Sequence, residues 1–277
     1  MKRILPFFVR LLLAGISWPG FSRLYGRLMH LRRPRRLAQW MIRRFQGHYR
    51  IAMDDFLGEA ADYRSLGEFF LRPIDPDKRP LNPDAGCLLS PADGRLSELE
   101  LVDRDRATQV KGWTYPLSLL LAESIDFSQK WHMATIYLSP GDYHRFHYPV
   151  SGRIGGCFHG GTRLFPVNDF SVNRVQRLYI RNERMVTRID LRGAPFYMVA
   201  VGATFVGNIG MKYLPGGLPP GGRWQELDIP AEQMSEMGHF AMGSTIILVV
   251  PAERVESVLA EKGQGVRVGQ PLFKIKN

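Results

Sequence analysis

The sequence predicts an α+β protein, predominantly β in its larger, C-terminal part, preceded by amphipathic helices. Three observations lead there. The formal charge of +11 is unevenly spread over the 277 residues: residues 1–50 hold twelve Lys/Arg and no Asp or Glu, while the remainder is nearly neutral with 26 acidic groups. Apolar residues in those first 50 positions recur at helical spacing. From Leu88 onward they cluster instead in short runs punctuated by Gly and Pro, the pattern of strands and turns. With 45% hydrophobic residues the chain can bury a substantial core. Its two cysteines, Cys87 and Cys157, make no disulfide or metal framework and fit a reduced, cytoplasm-facing protein.

The N-terminal arm carries three apolar faces: Ile4, Phe7, Phe8, Leu11 and Leu12; then Phe21, Leu24, Tyr25, Leu28 and Leu31; then Leu37, Trp40, Met41 and Phe45. Arg23, Arg27, Arg32, Arg33, Arg43 and Arg44 fill the gaps, and Pro19 and Pro34 divide the arm. No piece offers the roughly 20 uninterrupted apolar residues that span a bilayer. The pattern predicts helices lying in a membrane interface, arginines against anionic headgroups, over residues 1–52. A helical cap on the globular domain competes with that reading, and Lys2-Arg3 before an apolar run resembles a signal peptide, although Ser17-Trp18-Pro19-Gly20 is a poor small-residue cleavage site. Nucleic-acid binding matches the charge but not the leucine and aromatic faces.

A second domain is expected over 53–277. Ser65-Leu66-Gly67-Glu68 predicts a capped short helix, and the Pro- and Asp-rich stretch from Arg72 to Pro83 a surface loop. Strands are predicted over Arg95–Val102, Trp131–Leu138, Met185–Leu191, Phe196–Val206, Thr245–Val250 and Leu272–Ile275, with a helical turn at Leu117–Leu121. Glycines 155, 156, 160 and 161 suggest a flexible loop. The run from Gly263 to Leu272 predicts a closing hairpin, similar to that of barrel-sandwich hybrid folds.

Three stretches carry candidate chemistry. Gly243-Ser244 runs into six strand-forming residues, which places the Ser244 hydroxyl at the mouth of a buried strand. It can act on an outside substrate or on the chain's own carbonyl at Gly243, which has no Cβ to obstruct attack. Asp142-Tyr143-His144-Arg145-Phe146-His147 offers a general base; His-x-x-His without a Glu between and without a further ligand cluster does not point to a metal. Ser90-Pro91-Ala92-Asp93-Gly94 holds an acid that either stabilises its own bend or orients a histidine. His132, His159 and His239 carry no assignment beyond structural or surface roles.

These stretches, with Leu-Phe-Pro-Val-Asn at 164–168, Asn-Glu-Arg at 182–184, Val-Gly-Ala-Thr at 201–204 and Met-Gly-Ser-Thr at 242–245, resemble in collinear order the phosphatidylserine decarboxylase proenzymes. The resemblance implies a precursor cut between Gly243 and Ser244 into a β chain, 1–243, and an α chain, 244–277, with Ser244 converted to a covalent pyruvoyl group that forms the Schiff base to substrate. It implies Asp93, His147 and Ser244 as the self-cleavage triad and His144 as proton donor in decarboxylation. Phe165 and Asn168 match a loop that lines the substrate site. Phosphatidylserine in an anionic membrane, a homodimer of processed units and a peripheral place on the cytoplasmic face of the inner membrane are implied with them; nucleic acid is not. Met242 departs from the leucine most common in the motif. Two other readings use the same residues: a membrane-associated serine hydrolase or acyltransferase, whose nucleophile elbow would need glycines where Met242 and Ile246 stand, and a non-enzymatic lipid-binding β module.

Overall fold

The computed structural model describes residues 29–110, 113–204, 209–241 and 244–276. The first two apolar faces of the arm, up to Leu28, and the Met242-Gly243 step lie outside the described residues. Helix α1 spans Arg35–Tyr49 and buries Ala38 and Ile42. Phe45 sets its ring edge against Phe69 and Phe70 of α2 (Leu66–Phe70). Arg35 and Gln39 donate to the carbonyls of Ala61 and Tyr63. The third arm segment is therefore docked on the domain it precedes, and its apolar stripe is split. Met41 and Phe45 pack inward, while Leu37 and Trp40 remain 39% and 58% exposed. At the start of α2 the Ser65 hydroxyl accepts the Glu68 N–H at 3.2 Å, as the cap predicts, and the Glu68 carboxylate takes the N–H of Arg64.

The strands follow as β1 (Cys87–Leu89), β2 (Gly94–Val102), β3 (Ala107–Val110) and β4 (Trp113–Tyr115), then α3 (Leu117–Leu121). Next come β5 (Trp131–Leu138), β6 (Arg145–His147) and β7 (Gly152–Gly160), the short helices α4 (Asp169–Val172) and α5 (Leu178–Arg181), then β8 (Arg184–Leu191), β9 (Ala194–Val201) and β10 (Ile209–Met211). The chain ends in β11 (Trp224–Ala231), β12 (Glu236–Phe240), β13 (Ser244–Pro251), β14 (Val255–Val258), β15 (Gly265–Val266) and β16 (Pro271–Ile275). An eight-stranded sheet runs β11-β7-β8-β9-β13-β5-β2-β15, with three-stranded sheets β10-β12-β6 and β1-β16-β14 beside it. The predominantly β class is as expected.

β13 is the central strand. It pairs along its whole length with β5, from Ser244 opposite Leu138 to Pro251 opposite Trp131, and on its other edge with β9. All eight of its residues are buried. That explains a continuous apolar run rather than an alternating one, because a strand covered on both faces needs no polar side. Ile246 to Val250 are fully shielded from solvent, and at about 1.5–3 kcal/mol per side chain they anchor the sheet.

Two expectations change. The glycines at 155, 156 and 160 belong to β7, a strand paired on both edges. A Cβ at Gly156 would stand 2.8 Å from the Gln225 carbonyl, and one at Gly160 would stand 2.4 Å from the Phe158 ring. These glycines make room for neighbours within a sheet. The closing segment turns as predicted, Gln270 N–H to Arg267 carbonyl at 3.0 Å with Gly269 at φ 86°. Its arms do not pair with each other, however: β15 joins β2 and β16 joins β1 and β14. The turn is clamped to Ser90 instead, through Gly269 N–H to its carbonyl and its own N–H to Gln270. It bridges two sheets.

His159 on β7 is held between the Pro219 carbonyl at 2.8 Å and the Glu183 carboxylate at 3.2 Å. Both partners only accept, so the arrangement is complete when both ring nitrogens carry protons. The Glu183 bond raises its pKa above the ordinary 6.5 despite partial burial. A folded-state pKa raised above the unfolded value gives stability that is fully present below 6.5 and is lost as pH rises through the folded value. In urea unfolding, wild type should exceed His159→Gln most on the acid side, and the difference should shrink as pH climbs past neutrality.

Candidate active site

The C-terminal end of β5 gathers the candidate residues. Tyr137 pairs with Arg95 of β2 on one edge and Thr245 of β13 on the other. With neighbouring strands about 4.8 Å apart, the backbone after Asp93 and the backbone at Ser244 lie roughly 10 Å from each other across β5. Ser139, the first residue past the end of β5, offers its carbonyl to His144. His147 joins the same rim because its backbone N–H bonds Pro91 in the turn that carries Asp93. That turn is stiffened by the Ser90 hydroxyl on the Ala92 carbonyl and by Val268 N–H on the Asp93 carboxylate at 2.8 Å.

His147 has a defined tautomer. Its Nδ1 lies 2.8 Å from the Met234 carbonyl, which can only accept, so Nδ1 carries the proton. Nε2 keeps its lone pair and accepts the Tyr143 hydroxyl at 2.9 Å. Burial lowers the pKa of this histidine, outweighing the Met234 carbonyl and the nearby carboxylates of Glu236 and Asp93 that raise it. It is a neutral base with the correct nitrogen free of protons, capped by a phenol.

Asp93 does not hydrogen-bond His147. Its carboxylate is gripped by both terminal nitrogens of Arg79, one at 2.8 Å and the other closer still. A guanidinium fork matches two carboxylate oxygens, and between two largely buried side chains that geometry prevails over a single bond to an imidazole. Asp93 therefore acts on His147 through space, favouring its charged form. The Ser244 hydroxyl is fully buried and has no hydrogen-bond partner.

His144 has different surroundings. Tyr143 and His147 stack on each other at 5.8 Å, while His144 stacks on Phe70 at 4.0 Å and Phe146 meets Phe240 at 4.8 Å. Side chains alternate in extended backbone, so histidines three apart face opposite ways and do not converge on one ion. His144 Nε2 donates to the Ser139 carbonyl at 3.0 Å, and Nδ1 is buried without a partner. Complete burial and then the Arg72 charge push its pKa down to about 3. Its free nitrogen is an acceptor.

The expected substrate loop is committed to structure. The Asn168 side chain caps α4, accepting the Ser171 N–H at 3.1 Å. Phe165 is buried, its backbone held on both sides by Asn182 at 2.9 and 2.8 Å, with Arg181 over its ring. His132 lies beside Phe273 and His239 over Gly210. Among the described residues no three His, Cys, Asp or Glu side chains gather as a metal would require.

The sequence reading missed Arg72 and Arg79. Their segment reads as a surface loop, yet they are 1% and 8% exposed. Arg72 is sandwiched by Phe56 and Phe69 and ties down the carbonyls of Gly141 and Asp142. With Arg50, Asp55, Asp93 and Tyr143 they line a cleft of about 270 Å³.

A family model described as phosphatidylserine decarboxylase matches residues 66–274. The chain belongs to the phosphatidylserine decarboxylase family. It is 38% identical over 267 residues to the phosphatidylserine decarboxylase proenzyme of Anaeromyxobacter sp. (strain K), covering 91% of this chain and 93% of that protein. The proenzyme of Azotobacter vinelandii is 35% identical over 267 residues, 90% and 93% of the two chains. That of Nitrosococcus oceani is 38% identical over 227 residues, 77% and 74% of the two. The region matched by the family model contains Phe70, Arg72, Arg79, Asp93, His144, His147 and Ser244 and begins after α1, whereas the similarity to the Anaeromyxobacter proenzyme extends over α1 as well. Within this decarboxylase framework Tyr143→Phe strips the buried Nε2 of His147 of its only donor. An unsatisfied buried acceptor costs about 1–3 kcal/mol, so the urea midpoint should fall by that equivalent; an unchanged midpoint would mean water replaces the phenol.

Proposed function

We propose that the chain is a self-processing precursor that becomes a phosphatidylserine decarboxylase, converting phosphatidylserine to phosphatidylethanolamine and carbon dioxide at a membrane surface. The observation that carries this reading is the place of the Ser244 hydroxyl: it is fully enclosed, without a partner among the described residues as the Thr245 hydroxyl beside it also is, and it alone stands at the first position of the most deeply buried strand, directly after Gly243 in the sequence. Such an orphan is costly to keep for structure alone. It suits a residue whose oxygen is to be used.

In the first step the Ser244 oxygen attacks the Gly243 carbonyl carbon and its proton passes to a base. His147 fits that part, since its tautomer leaves Nε2 basic once Tyr143 gives way, and the Asp93 charge favours the imidazolium that results. The Gly243–Ser244 amide becomes an ester with a free amine. Loss of the Ser244 α-proton then expels the Gly243 carboxylate, and water replaces the nitrogen, which departs as ammonia. The pyruvoyl group left at residue 244 supplies an electrophilic carbonyl that accepts the substrate amine and withdraws electrons. The site fits it: residue 244 sits at a strand end, enclosed by Leu138 and its neighbours, so little water competes. His144 is suited to handling the proton of decarboxylation, with one nitrogen fixed on Ser139 and the other uncommitted.

The outer surface of α1 supports peripheral attachment to an anionic, cytoplasm-facing membrane. Leu37 and Trp40 are exposed among Arg33, Arg36, Arg43 and Arg44, and among the described residues no helix is long and apolar enough to cross a bilayer. Intact mass tests the whole reading. Wild type should give two chains, the smaller comprising 244–277 and blocked to Edman degradation; Ser244→Ala should stay whole, and His144→Ala should be cut but inactive. An uncut wild type with a free serine at 244 overturns the proposal, and an uncut His144→Ala exchanges the roles of the two histidines.

A further inference from the structure

His144 is restrained by few polar contacts. One ring nitrogen bonds the Ser139 carbonyl, the other bonds nothing, and its backbone carbonyl accepts the Phe240 N–H at 2.9 Å. The backbone carbonyls of Ser139 and Pro140 bear on the imidazole, and the tilt of its plane is left to what packs on its face. What defines its plane is the Phe70 ring, nearly parallel at 16° with centroids 4.0 Å apart.

Phe70 is in turn backed by α1. The Phe45 ring stands 6.1 Å from Phe70 at 63°, and 6.4 Å from Phe69 at 86°, both edge-on contacts. Such aromatic pairs contribute about 0.5–1.5 kcal/mol beyond the area they bury. α1 has little freedom to withdraw: Ile42 is fully buried in the core, Gln39 donates to the Tyr63 carbonyl at 2.8 Å, and Arg32 just before the helix bridges to Glu68 of α2 at 2.9 Å. A rigid column of rings therefore runs from the arm to the histidine, through close-packed contacts that transmit displacement.

We propose that α1 is a positioning element of the active site, with Phe45 acting through Phe70 to set the plane of the His144 ring and the direction of its free nitrogen. The proposal rests on the reading of His144 as the residue that handles the decarboxylation proton. Phe45 touches no reacting atom. It governs how well His144 is aimed.

The test uses full-length Phe45→Ala and Phe45→Leu, assayed in detergent micelles containing phosphatidylserine so that membrane seating is not limiting. Both should cleave themselves as wild type does, by intact mass. In Phe45→Ala kcat should fall roughly tenfold or more, as expected for a misaimed group, with KM nearly unchanged. Water reaching the loosened imidazole should raise the pKa of His144 from about 3, moving its ring resonances in NMR titration and the acid limb of the kcat profile the same way. Phe45→Leu, which refills the gap without a ring, should recover most of both. A Phe45→Ala protein with wild-type kcat, pH profile and His144 resonances overturns the proposal. So does a loss of kcat that tracks loss of thermal stability with the resonances unmoved. If wild type itself is uncut or makes no phosphatidylethanolamine, the functional reading fails, and the His144 resonances still decide the coupling to α1.

Discussion

Ser244 is the first residue of a strand that has no alternative place in the fold. β13 lies between β5 and β9, is buried on both faces, and could shift register only by moving a whole row of large aliphatic side chains. The hydroxyl is thus fixed by the core itself. Everything else at the rim is arranged relative to β5, the partner of β13: Asp93 through the start of β2, His144 through Ser139, and His147 through Pro91. A hydroxyl placed this way needs no loop to position it, since rigid elements hold side chains more accurately than loops do.

The polar groups at that rim are paired with one another or with backbone, apart from His144 Nδ1. Arg79 holds Asp93, Tyr143 caps His147, and Ser139 takes one nitrogen of His144. Both histidines are neutral for the same first reason, burial, but differ in the second. Carboxylates of Glu236 and Asp93 surround His147 and favour its protonation, whereas the Arg72 charge opposes protonation of His144. His147 is thus better able to accept a proton than His144, whose imidazole resists charging, a separation made by neighbours and not by residue type.

Much of this was legible in the sequence where the signal is local. Six strand-forming residues after Gly243-Ser244, five of them apolar, could hardly be other than a buried strand, and the motifs at 90–94 and 142–147 did mark the rim. What stayed hidden depends on tertiary partners. Arg79 looks like a loop residue, because nothing local says that a carboxylate fourteen positions on will take both its nitrogens. β7 was masked by its glycines, which lower strand propensity yet are what the crossing Phe158 ring and Gln225 carbonyl require. The final turn had hairpin chemistry, but its arms diverge to two sheets because the paired edges of β2 and β1 were not visible from residues 263–272.

The arm shows why one amphipathic pattern can answer two demands. A stripe read as a single apolar face distributes over two surfaces in α1: Met41 and Phe45, with Ala38 and Ile42, against the domain, and Leu37 and Trp40 outward among arginines. A purely interfacial helix would keep its apolar residues on one side, and a purely structural cap would have no use for an exposed tryptophan. A helix made in this way has its outer surface available to lipid and its inner surface on Phe70, one ring away from His144. Under the proposed function, with a substrate whose acyl chains stay in the bilayer, the element proposed to meet the membrane and the residue proposed to move the proton would form a single packed unit.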